Sequence, residues 1–413
     1  MAYLLKHPDD YTSALHRSEE LKTLAEPYLT MRSQIPSGME LSADYEERRR
    51  HILHSFSATQ TEWEDWHWQM KHRVTDVDTL AQLLPLEASE LDVIAKTAQN
   101  YRWAVSPYYL SLIDSTNPLD PIRLQALPSL PELDDNFGED DPMGEALTSP
   151  APCITRRYPD RLIINVTNMC AMYCRHCQRR RNIGETDRHE PKNQLKSALE
   201  YIRNNPEIRD VLITGGDALL LSDQTLNWLL AELHAIPHVE IKRIGTRVPV
   251  TLPMRITDEL VHILANYPPI YINTQYNHPK EVTLASKKAI DRLITAGVVM
   301  GNQAVLLKGI NNEPHVMKKL NQELLKIRVR PYYIFHAKNV KGTRHFVPRI
   351  QDGLAIMDQL RGQTSGLAIP TYILNAPKGG GKTPLLPQYL LHLKGNRAIL
   401  RTWEGKIVDY TTP

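Results

Sequence analysis

The sequence predicts an α/β fold, a complete or partial (β/α) barrel set between a helical N-terminal region and a C-terminal extension. Three observations carry that expectation. Apolar, β-branched runs recur at 161–166, 210–214, 241–245, 269–274, 298–305, 328–335 and 367–374. Helical patterns fill the intervals, at 195–202, 226–236, 258–267, 284–296, 314–327 and 351–360. Strand and helix therefore alternate at roughly thirty-residue spacing, which favours a parallel sheet covered by helices. At or just past the ends of the strand runs stand polar, chemically varied residues, among them Asp217, Arg247, Gln275, Gln303, Lys338 and Asn375. Barrels of this kind work at those strand ends, and a bare scaffold would not require such variety.

Ahead of the barrel, residues 1–147 read as helical with polar breaks. The charge run at 46–51 suits a solvated helix face, and 80–84 with 87–95 suggests an amphipathic helix pair. Trp63, Trp66 and Trp68 form a cluster of the sort that anchors packing. Residues 117–121, Asn-Pro-Leu-Asp-Pro, make a turn. The stretch 128–152 is rich in proline and in acids (Glu132, Asp134, Asp135, Glu139, Asp140, Asp141) and reads as a connecting segment. The expected organisation is thus a helical region over 1–147, a barrel over 148–374 and a C-terminal segment over 375–413.

The bulk numbers exclude several classes. At 413 residues, 42% hydrophobic and 23% charged, the chain is globular and long enough for a large core. Lys+Arg 49 against Asp+Glu 47 leaves a net charge of +2, no electrostatic footprint for nucleic acid. The first ten residues lack the apolar core of a signal peptide, and no run of eighteen apolar residues occurs, so no membrane span is expected. Four cysteines, three of them clustered, make no disulfide framework; thiolate chemistry calls for a reducing, cytoplasmic setting.

At the end of the first barrel strand the chain reads CAMYCRHC, with Cys170, Cys174 and Cys177 in C-x3-C-x2-C spacing. Three thiols this close on one loop turn toward a single soft metal centre, an iron-sulfur cluster or zinc. Structural zinc takes four ligands, commonly from two C-x2-C pairs, but the remaining cysteine here is Cys153, seventeen residues upstream. The residues alone leave open zinc completed by His176, a four-cysteine electron-transfer cluster using Cys153, and unrelated buried thiols. They also allow a cubane on three thiolates, with one iron free for a ligand that is not protein.

The C-x3-C-x2-C loop after a strand resembles the signature of radical S-adenosylmethionine (SAM) enzymes. The longer string CAMYCRHCQRRR over 170–181 resembles one branch of them, the amino acid 2,3-aminomutases, and the Trp-rich stretch at 62–71 extends the resemblance. It implies a partial (β/α)6-type radical SAM barrel, a [4Fe-4S] cluster on the three cysteines, and SAM on the free iron. Gly215, Gly216 and Asp217 match the motif that meets the SAM ammonium; by itself Gly-Gly-Asp is more often a turn. Gln303 and His176 are placed with the cofactor contacts by the same resemblance.

The segment NAPKGGGKT over 375–383 invites two readings. A phosphate-binding P-loop needs glycine at 376, where Ala376 stands, and Pro377, Pro384 and Pro387 oppose the helix that should follow. The other reading is a Schiff-base lysine, with three glycines letting the backbone approach a flat ligand and Lys382 binding pyridoxal 5'-phosphate (PLP). The aminomutases carry their PLP lysine in a matching segment, so the resemblance gives Lys382 the catalytic role. It also places Arg157 and Arg161, with Tyr158 between them, at the PLP phosphate, a pairing that suits a dianion.

Arg179 matches the family residue that binds the substrate carboxylate. Lysine-acting members hold the substrate ammonium with two aspartates, and at those positions this chain has Lys338 and Asn375. A cation and a neutral amide would repel an ammonium and attract a carboxylate, so an acidic amino acid is expected. The pair resembles the glutamate-acting branch, implying conversion of L-glutamate to 3-aminoglutarate (β-glutamate). Lysine or another amino acid is the near alternative, and a non-catalytic iron-sulfur electron carrier the distant one. An external electron donor and a homo-oligomer, dimer or tetramer, are implied as partners. Some lysine-acting members of the family bind zinc through further cysteines near the C-terminus; none follows Cys177 here, so the resemblance implies no zinc site.

Overall fold

Period-two burial decides how the barrel is assembled. In the computed structural model, which describes residues 8–135 and 137–413, Met300, Asn302, Ala304 and Leu306 are buried on one face of their strand. Gln303 and Val305, between them, face the other way into a cavity. The expectation about a signal peptide falls partly on residues 1–7, outside those described.

Nine strands form one sheet in chain order: β1 (Ile154–Thr155), β2 (Arg161–Asn165), β3 (Asp210–Thr214), β4 (Ile241–Gly245), β5 (Ile270–Thr274), β6 (Val299–Leu306), β7 (Arg330–His336), β8 (Thr371–Ala376) and β9 (Gly381–Pro384). β2 to β8 run parallel, while β1 and β9 pair antiparallel at the two edges, so the barrel is partial. Helices Lys192–Arg203, Asp223–His234, Asp258–Ala265, Leu284–Thr295, Pro314–Lys326 and Ile350–Leu360 follow β2 to β7 in turn. Their starts are written in the sequence, since Ser222, Thr257, Thr283 and Glu313 each accept a backbone N–H of the first turn. Leu195, Ala198, Leu199 and Ile202 then show the usual i, i+3, i+4, i+7 stripe against the sheet.

The N-terminal region is helical as expected, from Pro8–Arg32 through Pro121–Ala126. Trp63 and Trp68 are buried against each other with ring centroids 6.4 Å apart, and neither lines the cavity, so they serve packing. The boundary expected between 374 and 375 falls inside β8, and the sheet continues into β9. β10 (Leu390–Lys394), β11 (Arg397–Arg401) and β12 (Ile407–Thr411) form a separate antiparallel sheet. Among the described residues no helix is long and apolar enough to cross a membrane.

The acidic stretch 128–152 is more than a connection, because it closes onto the basic loop after Cys174. Fully buried Glu132 accepts Arg175 Nη2 at 2.6 Å and Nε at 3.1 Å and also pairs with Arg180. Asp135 accepts the backbone amides of Thr343 and Arg344 at 3.0 Å. The arginines of the loop and the acids of the segment are thus each other's partners, which composition alone does not reveal.

Candidate active site

The fifteen residues expected to bind metal, cofactor or substrate all line one cavity. Alternation along each strand delivers them: Arg161 on β2, Thr214 at the end of β3, Gln303 on β6, Asn375 on β8 and Lys382 on β9 face inward. The empty space, counted out to its open mouth, is about 1880 Å³.

At one end lie the thiols. Cys170, Cys174 and Cys177 are free and half-buried, and burial pushes Cys170 and Cys177 above the ordinary thiol range. Cys153 does not line the cavity, which leaves the four-cysteine arrangement without support. Among the described residues no three His, Cys, Asp or Glu side chains are already gathered around the place of a single metal ion.

The loop bearing the thiols is stitched to the Gly-Gly-Asp turn. Gly216 N–H donates to Thr167 O at 2.5 Å and Asp217 N–H to Met169 O at 2.8 Å. A Cβ on Gly215 would stand 2.5 Å from Thr167 O, and one on Gly216 would collide with Met169 O, so only glycine permits this approach. Asp217 accepts Thr246 Oγ1 at 2.5 Å and Arg247 N–H at 2.7 Å, while burial raises its pKa above the usual carboxylate value. Arg247 Nη1 in turn donates to Cys174 Sγ at 2.8 Å. His176 presents a buried Nδ1 with no partner in the protein, and burial, then Arg247, holds its pKa far below the ordinary value.

At the other end is Lys382. β9 pairs it directly with Asn375 across the edge of the sheet, so the two side chains share a face. Its backbone N–H donates to Tyr158 Oη at 3.0 Å, and its amine lies 4.8 Å from the centre of the Tyr333 ring and 5.5 Å from that of Phe335. The Arg161 guanidinium covers Tyr158 at 3.9 Å. Burial, then Arg243, Arg161 and Arg157, pushes the Lys382 amine down to about 8. Gly381, at φ 86°, takes the left-handed turn that brings the strand back.

Lys338 and Arg179 line the same cavity as Lys382 and its cross-strand partner Asn375. The Lys338 ammonium donates to Gln178 Oε1, and burial, then Arg179 and Arg157, pushes its pKa down to about 7. Arg179 is bound along one edge by Glu145, Nε to Oε2 at 3.1 Å and Nη2 to Oε1 at 2.9 Å. The site is therefore strongly cationic and contains few acids.

Comparison with known proteins gives two matching family models. Radical SAM superfamily matches residues 164–320 and Lysine-2,3-aminomutase residues 357–413. Glutamate 2,3-aminomutase of Clostridioides difficile (strain 630) is 56% identical over 395 residues, covering 96% of this chain and 94% of that protein. The chain belongs to the 2,3-aminomutase family of radical SAM enzymes. L-lysine 2,3-aminomutase of Clostridium subterminale is 48% identical over 353 residues, covering 85% of each chain. That of Bacillus subtilis (strain 168) is 46% identical over 352 residues, covering 85% of this chain and 75% of the other.

The family brings a [4Fe-4S] cluster, SAM and PLP, and the cavity has features that fit each. The three thiols with the orphaned His176 Nδ1 suit the cluster and SAM end, and the glycine cradle keeps the wall there clear of side chains. Lys382 beside Arg157, Arg161 and Arg243 suits an aldehyde bearing a phosphate. Several residues in the cavity wall or against it carried little readable signal. Arg243 sits mid-strand, where a basic residue ordinarily faces solvent. Gln178 is masked by the cysteines and arginines around it. Glu145 lies in a stretch that reads as a connection; spacing between its charge and the RRR run holds no information about their contact. Arg247 stood at a strand end, the one clue to its place.

Proposed function

We propose that the protein is a radical SAM and PLP-dependent glutamate 2,3-aminomutase, an isomerase converting L-glutamate to 3-aminoglutarate. Cys170, Cys174 and Cys177 would hold the cluster; Gly215, Gly216, Asp217, His176 and Gln303 would surround SAM. Lys382 would bind PLP, with Arg157, Tyr158, Arg161 and Arg243 at its phosphate end. When bound, cluster and SAM supply a radical able to remove hydrogen from an unactivated carbon, and PLP supplies the conjugated carbonyl that lets an amino group migrate.

The chain's own residues bind, orient and exclude water. Lys382, with its pKa near 8, keeps a neutral fraction of its amine at working pH, the form that attacks an aldehyde. Tyr333 and Phe335 give that amine a dry wall. Arg179 offers a guanidinium to the substrate α-carboxylate, and Lys338 with Asn375 receives the side-chain carboxylate.

The observation that carries the reading is the Lys338 and Asn375 pair in the same cavity as Lys382. A carboxylate beside Lys338 would gain a charge-assisted hydrogen bond and hold its proton on. A lysine ammonium there would face Lys338 and Arg179 with Glu145 already committed to three arginines, a mismatch of several kcal/mol in a dry pocket. The reading includes an external electron donor and a cytoplasmic, reducing setting, which thiolate ligands need. It also includes a homo-oligomer, supported by exposed Leu390, Leu393, Ile407 and Tyr410 on the β10–β12 sheet.

The test is anaerobic reconstitution with iron, sulfide and PLP, followed by SAM, dithionite and either glutamate or lysine, with products read by NMR. 3-Aminoglutarate from glutamate is expected. Turnover of lysine alone would overturn the substrate, and absence of SAM cleavage the reaction.

A further inference from the structure

The acids of the 128–152 stretch divide by what they touch. Glu132 pairs with Arg175 and Arg180, and Asp141 pairs with Arg181 at 3.0 Å. None of those arginines lines the cavity, so these acids fasten the stretch to the loop. Glu145 differs. It is 6% exposed, on the short turn Glu145–Thr148 entered through Gly144 at φ 60°. Its carboxylate accepts Arg179 along the Nε and Nη2 edge at 2.9–3.2 Å and Arg157 Nη2 at 3.4 Å, and both arginines are cavity walls. Arg181 Nη2 at 3.3 Å completes its surroundings.

Two guanidinium groups on one dry wall repel, and a carboxylate between them offsets that repulsion and fixes where each points. A planar fork held along one edge has also lost its rotational freedom. With Nε and Nη2 engaged, Nη1 is the nitrogen of Arg179 that takes no part in the pairing. A carboxylate arriving there meets a donor already oriented.

We infer that Glu145 is a positioning residue for substrate recognition, clamping one edge of Arg179 so that its remaining nitrogen meets the carboxylate of the amino acid. The inference rests on the reading of Arg179 as the residue that takes that carboxylate. Through Arg157 the same clamp ties the amino acid end of the cavity to its phosphate end.

The full-length, PLP-loaded protein is titrated with L-glutamate without SAM or reductant, and binding is read from the change in PLP absorbance. KM and kcat are then measured with SAM and reductant. Glu145→Gln should weaken glutamate binding and raise KM about 10- to 100-fold, the range for one misaligned charge-assisted hydrogen bond, with kcat within about threefold once PLP is saturating. Glu145→Asp, which keeps the charge, should recover part of the loss. In an Arg179→Gln background, Glu145→Gln should add little, because the group it acts through is gone. Native glutamate affinity in Glu145→Gln, beside a large loss in Arg179→Gln, would overturn the clamp and leave the substrate reading standing. Native affinity in Arg179→Gln would overturn the reading beneath it. If Glu145→Gln fails to fold by circular dichroism, Glu145→Asp decides: raised KM with near-native kcat supports the clamp, and native KM overturns it.

Discussion

Two lysines in one cavity have their pKa pushed down for related reasons, and the proposed reading gives them different roles. Lys338 lies near 7 because burial and the neighbouring Arg179 and Arg157 disfavour its charge, yet recognition of a carboxylate calls for the ammonium. In the substrate-free protein the proton leaves as pH rises through about 7. KM for glutamate should therefore climb above that pH, by up to about tenfold per pH unit, and the slope should vanish in Lys338→Gln. Steady-state kinetics from pH 6 to 9 check it, the range being chosen around the pKa of about 7. Lys382 needs the opposite form. Uptake of PLP by the apoprotein should quicken as pH rises through about 8 and level off, followed by absorbance. Lys382→Ala should lose both the PLP absorbance band and turnover.

At the scale of elements, the loop after β2 depends on two neighbours, the Gly-Gly-Asp turn and the acidic stretch. Gly216→Ala puts a methyl group against Met169 O and the Asn168 backbone, so the loop must shift, and iron retained after reconstitution should fall. Cys174→Ala should lose iron outright. Glu132→Gln leaves buried Arg175 and Arg180 without their counter-charge and should cost about 3–5 kcal/mol in urea unfolding. Burial opposes ionisation of Glu132, but Arg175 and Arg180 win and hold its pKa below 4.5. Its contribution is thus present at neutral pH and lost as pH falls through the lowered value. The strands and helices were legible, because period-two and period-3.6 burial are properties of the local sequence. The cysteine loop was marked by its spacing, whereas Gly215 to Asp217 and Lys382 were marked by the resemblance of their segments to those of the family. Glu145, Glu132 and Arg243 were not, because their meaning lies in partners tens of residues away. Proline and acid content made 128–152 look like a connection, whereas its carboxylates neutralise the arginines of the loop.

Across the whole molecule, one buried network joins the helical region to the barrel and the thiols. Glu281, fully buried, accepts Tyr109 Oη at 2.7 Å, Gln125 Nε2 at 3.3 Å and Arg247 Nη2 at 2.5 Å. Arg247 then reaches both Asp217, through its backbone, and Cys174 Sγ. Glu281→Gln should therefore both destabilise the fold, by about 3–5 kcal/mol, and reduce iron retention, linking regions far apart in the chain. The cavity that this framework holds open is lined by cations, and the proposed reading sets the amino acid side chain against Lys338 and Asn375. The most direct test of that reading is kcat/KM for glutamate and for lysine, measured side by side on the reconstituted enzyme and on the Lys338→Asp, Asn375→Asp double variant. A strong glutamate preference that collapses or reverses in the variant is the expected result; an equal preference in both proteins would contradict it.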